Sequence, residues 1–148
     1  MLQSLSSTKK AYIAGFLDAD GSIYVRAKPN SDYRYGFQIA PYIVFFQSAK
    51  ERQKFEDVCS LVGYGKIRER KDGILEYVIN KIDEIKEFLK CVYPFVLMKR
   101  KQVELMLEII EAKSKVESKN DFEHLLKLVD SYRQLNYSKR RKQRRLTP

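Results

Sequence analysis

The chain of 148 residues has no tryptophan, one histidine and two cysteines. With His124 alone and Cys59 and Cys91 far apart, the four nitrogen and sulfur ligands of a structural zinc site are missing. The two cysteines fall in amphipathic segments and read as small core residues of a reducing compartment, not as a disulfide framework. No apolar run reaches the ~18 residues that a membrane span needs, and the first ten residues lack a signal-peptide core. An intracellular protein with no membrane partner is expected. Acids are also scarce: 19 Asp and Glu against 29 Lys and Arg leave a net charge of +10. Such an excess favours a polyanion, with nucleic acid ahead of an anionic membrane surface. The length suits one domain with one core.

What the chain does have is a run of small and bulky apolar residues from Ala11 to Gly21 that ends in two acids and a glycine. At about 100° per residue, Ala11, Ala14, Gly15 and Asp18 fall on one side, and Tyr12, Ile13, Phe16 and Leu17 on the other. The bulky face can fill a core. The small face lets a second helix approach closely, and Lys9, Lys10, Asp18 and Asp20 make that partner a soluble helix. Gly21 suits a left-handed cap, which places Asp20 in the last helical turn. A carboxylate is badly placed there, because helix C-termini carry partial negative charge. Either the two acids are ordinary solvated groups, or a hard divalent cation takes the carboxylate and a nearby carbonyl as oxygen ligands. A face that brings a second copy of Asp20 close to the first favours the ligand.

Downstream, Ser22 to Lys28 alternates, with Ile23, Val25 and Ala27 against Tyr24, Arg26 and Lys28. A turn at Pro29 to Asp32 leads to a second strand, about Tyr35 to Gln47, which turns Phe37, Ile39, Ile43 and Phe45 inward and Gln38, Ala40, Tyr42 and Val44 outward. Pro41 within it predicts a bulge or an edge position. Ser48 and Glu51 form the pattern of a capping box for a helix running to Val62. Two short strands follow, Lys66 to Arg70 and Ile74 to Ile79, then a helix capped by Asn80 that ends before Pro94. Further amphipathic helices are predicted at about 99–113 and 121–136. The order αββαββα, with C-terminal helices added, implies an α+β fold with a mixed sheet and helices on one face. Residues 139–148 read as a basic tail, disordered when free, in which Lys139, Arg140 and Arg141 serve as phosphate contacts. Residues 1–138 form the single domain.

The sheet face left over by the core carries Tyr24, Arg26, Lys28, Gln38, Ala40, Tyr42, Val44, Arg68, Arg70, Glu76 and Val78. Arg pairs with guanine, Gln with adenine, and Glu accepts from cytosine in the major groove. Asn30, Asp32, Tyr33 and Arg34 lie in the hairpin turn and would extend the reach along that groove. Alternation by itself does not separate a reading face from a solvated one. Gln47 and Lys99 can return to the same end of the domain as Asp20.

Ile13 to Gly21, Ile-Ala-Gly-Phe-Leu-Asp-Ala-Asp-Gly, resembles the signature of the LAGLIDADG homing endonucleases, and most of all that of the single-motif members, which work as homodimers. The similarity spreads over about the first two thirds of the chain. The resemblance implies that Asp20 is a direct ligand of Mg²⁺ (or Mn²⁺), with the Ala19 carbonyl as a second ligand. It also implies that Gln47 helps to order water near the metal, and that Lys99 polarises the nucleophilic water or stabilises the phosphate. The implied assembly is a saddle-shaped, intron-encoded homodimer that packs its motif helices together and lays its sheets in the major groove of double-stranded DNA. It cuts across the minor groove to leave short 3′ overhangs, with no small-molecule cofactor. One motif per chain supplies one acid, so two copies and a pseudo-palindromic target are required.

Two departures stand out. Glu51 occupies a place where the family pattern suggests a cation, with Lys50 and Arg52 beside it, and Pro41 is unusual in a groove-reading strand. Two other functions fit the same fold: an RNA-binding intron-splicing cofactor, and a DNA-binding regulator without activity. Retention of Asp20, Gln47 and Lys99 together argues for cleavage, since RNA binding alone has no need of a metal site there.

Overall fold

In the computed structural model, which describes residues 2–136, the predicted order holds. Helix α1 (Ser7–Asp20) leads into strands β1 (Gly21–Pro29) and β2 (Phe37–Ser48), then α2 (Arg52–Ser60), β3 (Lys66–Glu69), β4 (Ile74–Ile79), α3 (Ile82–Val92), α4 (Arg100–Ser114) and α5 (Lys119–Leu135). The strands form one sheet in the order β1-β2-β4-β3. Every pair in it is antiparallel, where a mixed sheet was expected. The reason is that two hairpins, β1-β2 and β3-β4, join through their second strands. No helix among the described residues is long and apolar enough to cross a membrane.

The alternation sorts the sheet as predicted. Ile23, Val25, Phe37, Ile39, Ile43, Phe45, Leu75, Tyr77 and Ile79 are buried under the helices, together with Phe88, Leu89, Met106 and Val129. Pro41 causes no bulge, since the β1-β2 register runs unbroken from Gly21↔Phe45 to Pro29↔Phe37. It lies in the half of β2 that β4 does not reach, β4 pairing only from Ile43 onward, so the missing donor costs that side no ladder bond. The free side of β1 is closed by α5, whose buried Tyr132 hydroxyl donates to the Ile23 carbonyl at 2.6 Å.

Three predicted ends differ. Gly21 is extended (φ −89°) and opens β1, not a left-handed cap. A glycine is needed there because a Cβ would stand 2.6 Å from Leu17 Cδ1 and 2.8 Å from the Leu17 carbonyl oxygen. Ser48 caps a short 3-10 turn by accepting from the Lys50 amide, while Glu51 pairs with Lys54, so no capping box forms. Lys81, not Asn80, precedes α3 and supplies no side-chain cap. The true capping box is Ser118 with Asp121 at α5.

Candidate active site and nucleic-acid interface

Helix α1 buries Ile13, Ala14 and Leu17 against the sheet and α3, and leaves Ala11, Tyr12, Gly15 and Ala19 exposed. The small-residue face predicted from helical spacing is therefore rotated. Ala14 is fully buried within its own subunit and cannot serve a partner, whereas Tyr12 is 57% exposed. Gly15 has nothing within 4 Å of a Cβ position, so no contact inside the chain calls for a glycine there.

Asp18 has a different task from the dimer contact expected of it. Its Oδ2 accepts the amides of Leu97 (2.9 Å) and Met98 (3.2 Å), and its Oδ1 the amide of Lys99 (3.0 Å). These amides lead into the N-terminus of α4, where a carboxylate is favourable. The Lys99 ammonium donates in return to the Asp18 carbonyl oxygen at 2.8 Å. A cation thus lies on the carbonyl end of α1 and compensates the charge that made Asp20 look misplaced. Asp20 itself is exposed and, among the described residues, has no hydrogen-bond or ion-pair partner. Gln47 stands two residues past Phe45, the partner of Gly21, at the same end of the sheet. Its Oε1 accepts the Ser48 amide at 2.9 Å, which leaves its Nε2 as the remaining donor.

The three predicted catalytic side chains are thus gathered where α1 ends, β1 begins, β2 ends and α4 starts. Among the described residues no place collects three or more His, Cys, Asp or Glu side chains. One chain offers only the Asp20 carboxylate and the Ala19 carbonyl, one of the last four that have no partner within a helix. Both are hard oxygen donors, so the residues present fit the ligand type that Mg²⁺ or Mn²⁺ takes.

On the outer sheet face, Tyr24 and Tyr42 are opposed across β1 and β2 and stacked, centroids 5.0 Å apart at 21°. Arg26 lies 5.4 Å from the Tyr24 ring and 5.7 Å from the Tyr42 ring. Lys28 lies 5.1 Å over Tyr42 and also donates to its hydroxyl. Burial raises the Tyr24 phenol above its ordinary range, partly opposed by Arg26, so its hydroxyl keeps its proton near neutrality. Gln38 is opposite Lys28, and Ala40 opposite Arg26. Further along, Glu76 is paired with Arg68 (Nε to Oε2, 2.6 Å) and approached by Arg70 (3.7 Å), which also holds Asp72 at 2.6 Å.

Several predicted base contacts are corrected. Glu76 is almost buried and its oxygens face two arginines, so it orients cations and is not free to accept from cytosine. Val44 is 2% exposed, although outside the main core, and no base edge can reach it. Val78 is half-buried beside it. Asn30 spends its Oδ1 on the Asp32 amide and so shapes the turn. Arg34 lies 5.3 Å from the Tyr35 ring, which stacks on Phe122 of α5, while Asp32 and Tyr33 stay exposed at the tip. Lys139, Arg140 and Arg141 fall outside the described residues. Phe46 was missed: it is half-buried on the outer face, opposite Glu76, and its even position in β2 was the available signal. Near the departure at Glu51, Arg52 is bound to Glu69 at 2.7 Å and Lys50 is exposed.

A cationic, aromatic sheet face with an acid, an amide and an amine at one end defines a nucleic-acid-directed α+β protein. Comparison with known proteins makes the class specific. Residues 13–107 match the model of the LAGLIDADG endonuclease family. DNA endonuclease I-CreI of Chlamydomonas reinhardtii is 35% identical over 132 residues, 88% of this chain and 80% of that protein. DNA endonuclease I-CvuI of Chlorella vulgaris is 32% identical over 103 residues, 70% of this chain and 64% of that one. A crystal structure of I-CvuI in complex with the I-CreI target and Mg, its DNA not cleaved, superposes with a TM-score of 0.84 at 28% identity, covering 91% of this chain and 86% of that one. The chain belongs to the LAGLIDADG endonuclease family.

Proposed function

We propose that the protein is a site-specific homing endonuclease that hydrolyses phosphodiester bonds in double-stranded DNA. It acts as a homodimer on a long pseudo-palindromic site, and leaves short 3′ overhangs. The observation that carries this reading is the unpartnered Asp20 carboxylate beside an ammonium held in place, at the edge of a cationic sheet face. Asp20 and the Ala19 carbonyl would hold the divalent ion, Mg²⁺ or Mn²⁺, with a second copy of the chain supplying the remaining protein ligands. When bound, that ion neutralises phosphate charge and acidifies water. The Lys99 ammonium, fixed on the Asp18 carbonyl, would place positive charge beside the scissile phosphate. Gln47 presents its Nε2 donor to order water. Two copies meet through the exposed Ala11, Tyr12, Gly15 and Ala19 stripe, which sets the two Asp20 groups side by side.

The test is a cleavage selection, with purified protein and Mg²⁺ against a randomised duplex library and the cut ends sequenced. Recovery of a pseudo-palindromic motif at the cut ends supports the reading. A folded protein that binds nucleic acid but yields no cut ends contradicts it, and points to the splicing cofactor or the regulator.

A further inference from the structure

Helix α4 opens against its own electrostatics. Lys99 precedes it, Arg100 and Lys101 begin it, and its first turn has no acid. Cations are unfavourable at the positive end of a helix, and the Lys99 side chain supplies no cap. Asp18 answers part of this by accepting the amides of Leu97, Met98 and Lys99. Tyr93 answers another part from the opposite side of the connection. Its ring centroid lies 4.5 Å from the Arg100 guanidinium carbon, a ring-on-cation contact that offsets the charge at the start of the helix. Its hydroxyl donates to the Glu104 carboxylate at 2.7 Å, one turn further along α4. Tyr93 is itself fixed from behind: its amide closes α3 on the Leu89 carbonyl, and the amides of Phe95 and Val96 turn back onto the Val92 carbonyl. The segment between Tyr93 and Arg100 is thus braced across its two ends, with Val96 buried in the middle.

Resting on the function proposed above, we propose that Tyr93 is a positioning residue for the reaction: by holding Arg100 and Glu104 it sets the first turn of α4, and so keeps the Lys99 ammonium on the Asp18 carbonyl oxygen. Lys99 carries its charge on a flexible four-carbon stem, so the place of that charge depends on where its backbone is held. Its carbonyl already accepts the Val103 amide as the first bond of the helix, which makes any tilt of the turn a displacement of Lys99. A misplacement of about 1 Å at a reacting group can cost ~10²-fold in rate. Tyr93 is half-buried at the end of α3 and touches the site only through α4.

The experiment takes the full chain and its variants Tyr93→Leu, Tyr93→Phe and Lys99→Ala, with each Tyr93 change also made on the Lys99→Ala background. It records single-turnover cleavage and affinity on one duplex selected by the parent, and amide exchange of Leu97, Met98 and Lys99 in the free protein. Tyr93→Leu is expected to lower cleavage by roughly 10-fold or more, with affinity kept to within a few-fold and the three amides exchanging faster. Tyr93→Phe, which keeps a ring under Arg100 and releases Glu104, falls between the parent and Tyr93→Leu. On the Lys99→Ala background neither change lowers cleavage further, because the group they position is already gone. A merely structural Tyr93 would cost as much with Lys99 absent as with it present, and that result overturns the inference. Should Tyr93→Leu not fold, Tyr93→Phe carries the same comparison across the two backgrounds. Parental cleavage and parental amide exchange in the Tyr93 variants overturn the inference and leave the endonuclease standing. A parent that cuts no duplex overturns both.

Discussion

Asp18 and Lys99 are joined by two hydrogen bonds, both donated by Lys99: its amide to the Asp18 carboxylate at 3.0 Å, and its Nζ to the Asp18 carbonyl oxygen at 2.8 Å. The first acid of the motif therefore builds the bed for a cation contributed from 81 residues further on. Asp18→Ala orphans three amides. Unfolding in urea should show a loss of roughly 1–3 kcal/mol, and cleavage should fall more than DNA affinity does. Unchanged stability would mean that the loop before α4 is held by something else.

Gly21 makes a second stability test. A Cβ there meets the Leu17 carbonyl oxygen at 2.8 Å and Leu17 Cα at 2.9 Å, and backbone atoms cannot step aside. Gly21→Ala should cost about 1–3 kcal/mol and displace Asp20, the residue before it. A thermal melt identical to the parent's would contradict the close packing of the α1–β1 junction.

Gly15 bears on assembly. A Cβ at this position meets nothing, so Gly15→Ala should stabilise the isolated subunit by roughly 0.5–1 kcal/mol. Gly15→Glu places charge on the exposed stripe and should yield folded monomers in sedimentation, with helical circular dichroism retained. A Gly15→Glu protein that remains dimeric would remove α1 from the interface.

Helix α5 should respond to acid. Backbone hydrogen bonds from Glu117 and Ser118, and the Ser118 hydroxyl, hold the Asp121 carboxyl below the ordinary range. A depressed carboxylate stabilises the fold above its unfolded pKa, and the contribution is lost as pH falls through the lower folded pKa. Amide protection factors in the first turn of α5, corrected for the intrinsic exchange rate, should therefore fall on acidification, and Asp121→Asn should abolish that dependence. The same fall in Asp121→Asn would assign it to another group.

Element order and the buried strand faces were legible because alternation and helical spacing are local. The cap at Ser118, the burial of Ala14 and the grip of Asp18 on residues 97–99 were not, because each depends on where distant segments pack. The same holds for Glu76, whose burial follows from the register that sets Arg68 opposite it, with Arg70 close by. Asp20 was singled out by its place at a helix end, and the family resemblance raised Gln47 and Lys99 beside it; the three lie near one another because the end of α1, the end of β2 and the start of α4 coincide.

The most direct measurement compares the parent with Asp20→Asn on one selected duplex in Mg²⁺, recording affinity and single-turnover cleavage together. The account predicts affinity unchanged to within a few-fold and cleavage lowered by about 10²-fold or more. An Asp20→Asn protein that cuts at the parental rate, or one whose binding collapses tens-fold at fixed salt, would contradict the role assigned to this carboxylate.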